Sequence, residues 1–212
     1  MIKKYKFTIG VLAIIAVGLL IYAFTGSEKV KIKGNYFKNN RSVYYKEESD
    51  HFYKKLWGAD ENSFGVLSVL YGKDSDSLYF KNKKVKGVDL ENYELFGNYV
   101  KDAKNVYYNG KKLRNINVAD FKVLGSEYAK DDKNIYYAGK KLKEVDYKSF
   151  MAMESGYARD LNNIFYHEDV IKNVDIKSFK LIDPVYSMDK DNCYEEGEKV
   201  KMSECDELTS EK

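Results

Sequence analysis

The chain has 212 residues, a third of them charged, yet its 36 lysines and arginines nearly balance 33 aspartates and glutamates, leaving a formal net charge of +3. Both signs are interspersed, which excludes the clustered basic face that a nucleic-acid groove needs. The two histidines, His51 and His167, sit in no spacing that serves a nucleophile or a metal ion, so neither catalysis nor a cofactor is expected.

In chain order, Lys3, Lys4 and Lys6 precede an uncharged run over residues 7–26 that includes GVLAIIAVGLLIYAF. About 20 apolar residues match the hydrocarbon core of a bilayer. The run is longer than the roughly 7–15-residue apolar region of a cleaved signal. Residues 1–26 are therefore predicted to be an uncleaved signal anchor that forms a transmembrane helix. A cleaved signal ending near Ala23-Phe24-Thr25 is the alternative, and would make the protein secreted. The short lysine-bearing tail favours an N-terminus inside, with the C-terminal domain extracytoplasmic in a single-pass protein of the cell membrane. Residues 27–34 read as a linker.

From residue 35 the chain repeats itself. The first copy opens at Tyr36, with Tyr44-Tyr45 eight and nine residues later. Its Asp60 comes 24 residues after Tyr36, whereas later copies use 18, so this copy carries about six extra residues. The enlarged loop, residues 46–58, contains His51, Phe52, Tyr53 and Trp57. An insertion in one repeat marks a loop on one face, often the binding face. His51, Tyr53 and Trp57 are thus candidate ligand-binding residues, and packing against an otherwise uncapped first unit is the competing reading.

The next copies lead with Tyr71, Tyr99, Tyr128, Tyr157 and Tyr186, spaced 28, 29, 29 and 29 apart. Three residues after each stands Asp74, Asp102, Asp131, Asp160 or Asp189. Eight after each stands Tyr79, Tyr107, Tyr136, Phe165 or Tyr194. In YAKDDKNIYYAGKKL, starting at Tyr128, branched and aromatic residues favour strands. The Asp131 to Asn134 stretch supplies one turn and Ala138-Gly139 another. A short third strand comes next, at Lys140-Lys141-Leu142. Asp146 reads as the N-cap of one helical turn that Phe150 pins to the sheet. Ile135 and Tyr137 face one side of their strand and Tyr136 the other, so stacked neighbours must cover both. The expected fold is mainly β: six tandem 28–29-residue β-hairpin or three-strand repeats with short helical turns, over residues 35–212. Units this short leave little room for four strands, which favours an open stack.

The last copy has Cys193 in the buried apolar column and Glu195 where its siblings place an aromatic, so it is expected to cap the array. Cys193 and Cys205 either form one local disulfide in an oxidising compartment or remain as two thiols.

The block Asp131-Asp132-Lys133-Asn134-Ile135-Tyr136-Tyr137, with its sibling Asp102-Ala103-Lys104-Asn105-Val106-Tyr107-Tyr108, resembles the signature of bacterial DKNYY-family repeat proteins. That resemblance implies a repeat architecture and no mechanism. The aspartate columns are assigned to turns and caps. Calcium loops are a poor fit, because Asp74-Ser75-Asp76-Ser77 and Asp189-Lys190-Asp191-Asn192 lack the glycine and terminal glutamate. His167 is taken as an exposed loop residue. Function then reduces to a protein-binding or scaffold surface for another envelope protein, or to a cell-wall glycan-binding module that presents exposed tyrosines.

Overall fold

Short strands and tight turns alternate through residues 28–210, the part of the chain that the computed structural model describes. The predicted transmembrane segment lies outside these residues. Among the described residues no helix is long and apolar enough to cross a membrane. They form six four-stranded antiparallel sheets and one helix, Met202–Ser210. The chain divides into two compact units, residues 1–90 and 91–212. The first holds two of the sheets and the second holds four.

The sheet built around Tyr128 stands for the others. Its strands are Lys122–Gly125, Tyr128–Lys130, Ile135–Tyr137 and Lys140–Lys141, paired in chain order. Tyr128 pairs with Tyr137, and Tyr136 with Lys141. Ala138 and Gly139 both have positive φ, 49° and 77°. That geometry matches the right-handed twist of the flanking strands in a two-residue hairpin turn. Two expectations need correction. Each unit holds four strands rather than three, because strands of two to four residues fit a 29-residue period. The missed strand lies just after the phenylalanine column, at Met151–Ala152 and Lys180–Leu181 for example. It has no aromatic signature of its own. The segment opening at Asp146 is a turn and not a helical one. Asp146 still accepts from the Lys148 amide and the Ser149 hydroxyl, which satisfies the turn from within.

Within each unit the core lies between successive sheets. In the second unit Tyr128, Ile135 and Leu142 of one sheet meet Ala158 and Phe165 of the next. Tyr99, Val106 and Phe121 meet Ala129 and Tyr136 in the same way. In the first unit Tyr36, Val43 and Phe64 meet Tyr79. Ile135 and Tyr136 therefore serve opposite cores, as period-two alternation requires. The residue after each leading tyrosine must be small where the preceding phenylalanine arrives. A Cβ on Gly72 would fall 2.3 Å from Phe64 Cζ.

The last sheet departs from this scheme. Cys193 occupies the column of Ile135 and Ile164, and a disulfide joins it to Cys205 with an S–S distance of 2.01 Å. Cys205 is buried on the helix Met202–Ser210. That helix stands where the other repeats place the Asp-x-x-Ser-Phe turn, and it packs on the strands Tyr186–Met188 and Cys193–Glu195.

Candidate functional site

The repeated tyrosines and aspartates make the densest chemistry in the sequence, and the fold uses them between repeats. The leading tyrosines reach forward. Tyr36 donates to the carbonyl of Leu70 at 2.6 Å, and Tyr99 to that of Glu127 at 3.0 Å. Tyr128 donates toward the carbonyls of Gly156 and His167, at 2.8 and 2.7 Å. Tyr99 and Tyr157 also accept from the amides of Gly139 and Gly197, forty residues on. Burial pushes the phenols of Tyr36, Tyr99 and Tyr128 far above the ordinary tyrosine range.

The aspartates reach backward. Asp131 is 2% exposed. Its Oδ1 accepts from the amides of Lys133 and Asn134, and its Oδ2 from the Tyr136 hydroxyl at 2.6 Å. The same Oδ2 accepts from the amide of Asn117 in the preceding repeat, at 3.2 Å. Asp74, Asp160 and Asp189 take the amides of Asp60, Asp146 and Asp175 likewise. Burial alone would raise the Asp131 carboxyl, but the Tyr136 hydroxyl and the surrounding amides outweigh it and hold the group at about 2. Sequence reasoning placed these aspartates in turns and missed the backward bond. Its signal was the recurring 14-residue interval between the two columns, as from Asp146 to Asp160 and from Asp175 to Asp189.

The first sheet has no preceding repeat among the described residues to cover its outer face, and the enlarged loop does so in part. Tyr53 packs edge-on against Phe37 at 4.9 Å and reaches Tyr44 at 6.4 Å. Lys29 lies over both Tyr44 and Tyr53, and Lys46 over Tyr53. Tyr53 therefore belongs to a cap. Phe52 and Trp57 remain 80% and 76% exposed, with Lys55 Nζ 4.8 Å from the Trp57 ring. His51 is exposed on the same loop. The three candidates thus share one loop without converging on one pocket.

His167 also needs correction. Its ring stacks between Tyr137 and Tyr166, at centroid distances of 4.9 and 4.0 Å, and is half-buried. A groove of about 820 Å³ runs along the fourth strands of the last three sheets, lined by Lys140, Leu142, Glu168, Ile171, Gly197 and Lys199 among others. Lys140 pairs with Glu168 at 2.6 Å across two repeats and holds the glutamate below its ordinary range. Among the described residues no group of three or more acidic, histidine or cysteine side chains is arranged to hold a metal ion.

The sequence pattern of the DKNYY family matches residues 36–169, 97–198 and 157–209, three overlapping spans that together run through every repeat. No curated protein and no solved structure matches the chain.

Proposed function

The chain belongs to the DKNYY family, and from that premise we propose that it is a membrane-tethered, extracytoplasmic repeat domain whose surface binds another protein of the cell envelope. One observation carries this reading. The frame is uniform and its polar groups are consumed internally, while the edge strand is Lys-Lys in four repeats, at Lys54–Lys55, Lys83–Lys84, Lys111–Lys112 and Lys140–Lys141, and changes to Asp169–Val170 and Glu198–Val200 in the last two. A constant frame whose edge changes from basic to mixed charge in its last two repeats is the kind of surface through which stacked repeats recognise a partner. The groove beside those edges, with cationic and anionic side chains in turn, suits an extended protein segment of mixed charge. The uncharged run over residues 7–26 supports the tether, and the Cys193–Cys205 disulfide supports an oxidising compartment. Catalysis forms no part of this reading.

The glycan reading survives in a narrower form. The leading tyrosines are 0–1% exposed in five of the repeats, so sugars would have to stack on other rings, of which Phe52 and Trp57 are the most open. A photo-crosslinking residue at Lys141, introduced into the full chain in intact cells, separates the two. One discrete protein adduct, lost when Lys140 and Lys143 become glutamate, is the expected outcome. Adducts only with wall polymer, or none at any edge position, would replace the scaffold reading.

A further inference from the structure

The first repeat joins two features: the most exposed aromatic side chains among the described residues, and the shortest chain distance to the end of the apolar run. Phe52 and Trp57 are the most exposed large hydrophobic residues among those described, and Val30, 65% exposed, lies on the first strand of the same sheet. Lysines lie over two of the loop's rings, and Glu47, Glu48 and Asp50 stand on the same loop. Lys55 covers Trp57, while Lys29 and Lys46 cover Tyr53. Exposed apolar surface rimmed by cations, with tryptophan and tyrosine among the rings, has the composition of a bilayer interface.

Chain length adds a distance. The uncharged run ends at Gly26, three residues before Lys29. At about 3.6 Å per residue, three residues span at most about 11 Å. The Lys29 ammonium is itself 5.2 Å from the centre of the Tyr53 ring. A loop held this near the end of a membrane-inserted run is within reach of a headgroup layer that is roughly 5–8 Å deep in each leaflet.

We infer that the loop of residues 46–58 seats on the membrane surface, with Phe52 and Trp57 entering the boundary between headgroups and acyl chains and Lys29, Lys46 and Lys55 meeting anionic phospholipid headgroups. The seat rests on the proposal that the chain is tethered. It gives the tether a second contact, which fixes the first unit against the bilayer. The loop is then both a cap, through Tyr53, and a foot, through Phe52 and Trp57.

Trp57 is the single tryptophan of the chain, so its fluorescence reports this loop alone. The full chain is reconstituted in nanodiscs of phosphatidylcholine and phosphatidylglycerol, with a tryptophan-free scaffold protein. Expected are emission shifted to the blue, several-fold weaker quenching by iodide than for free tryptophan, and strong quenching by lipids brominated near the headgroup. Phe52→Glu should restore iodide quenching while the protein still co-elutes with the discs and keeps its circular dichroism. Co-elution with full iodide access in the unmodified chain would overturn the seat and leave the tether standing. Failure to co-elute would overturn both. Protection of Trp57 by soluble wall fragments without lipid would assign the loop to glycan and likewise overturn the seat.

Discussion

The repeat that opens at Tyr128 and the one that opens at Tyr186 share their hairpin and their aspartate, yet only the first is bonded forward through its tyrosine. Tyr128 is fully buried, rests on Tyr137 and Phe150, and sends its hydroxyl into the next repeat. Tyr186 is half-buried and turns its hydroxyl to Glu195 of its own sheet. The aspartates do not differ in this way. Asp131 and Asp189 both take an amide from the turn behind them. The difference teaches that the array is polar along the chain: tyrosine pegs point forward and aspartate latches point backward. A repeat with no further repeat stacked in front among the described residues keeps its latch and loses its peg. The first repeat shows the converse. Tyr36 reaches forward to Leu70, while the latch column carries Asn39, which accepts from the nearby Arg41 amide.

The largest expected effect comes from removing a peg. Tyr128→Ala deletes a ring packed between two sheets and removes the hydroxyl that reaches the carbonyls of Gly156 and His167, of which the first still accepts from the His167 amide. A buried aromatic truncated to alanine costs about 3–5 kcal/mol. Tyr186→Ala removes a half-buried ring that joins no neighbouring repeat and should cost less than about 1 kcal/mol. Urea unfolding of each full-length variant, compared with the parent, measures both. Equal losses would break the distinction between interior and terminal tyrosines.

The helix, tied down by the disulfide, packs on the last described sheet, so removing the disulfide tests that repeat directly. Cys193 and Cys205 are 12 residues apart, and closing a loop of that size contributes about 2–4 kcal/mol. Cys205→Ser should loosen the helix Met202–Ser210 and the last sheet by that amount. The Tyr128 sheet should be unchanged, because stacked repeats couple chiefly to their neighbours. Hydrogen exchange resolved by residue distinguishes local loosening at Val200 and Tyr194 from loss throughout the second unit.

Much of this was legible in the sequence because repetition exposes columns. The period, the hairpin turn at Ala138-Gly139, and the two-faced strand Ile135–Tyr137 come from turn chemistry and alternation. The fourth strand was not legible. Gly65–Val66, Met151–Ala152 and Lys180–Leu181 share no side-chain type, and backbone pairing alone defines them. The peg and latch bonds were also hidden, since they join residues 14 to 40 positions apart. Spacing marks such pairs, but only the stack says which atoms meet. At the enlarged loop, composition pointed to His51, Tyr53 and Trp57 together. Packing against Phe37 sets Tyr53 apart from the other two.

The smallest of the three effects concerns what the two repeats share. Asp131→Asn keeps the shape of the latch and removes its charge, which should cost about 1.5–3 kcal/mol at neutral pH, the range for a hydrogen bond to a charged group. Asp189→Asn should cost a similar amount, because its carboxyl is also held low, by the Asp175 and Asp191 amides, against the burial that would raise it. The pH dependence has a definite sign. The Asp131 carboxyl titrates near 3.8 when unfolded and at about 2 in the fold, so its contribution is complete above about pH 4 and is lost as pH falls toward 2. The asparagine variants lack that dependence. The gap in urea midpoint between parent and variant should therefore be widest near pH 5–7 and, for Asp131, close between about pH 4 and pH 2; for Asp189 it should likewise narrow as pH falls below the ordinary carboxylate range. A gap that closes for Asp131 and persists for Asp189 would mean that the terminal latch draws its strength from the disulfide-held helix. The polarity of the array would then reside in both columns and not in the tyrosines alone.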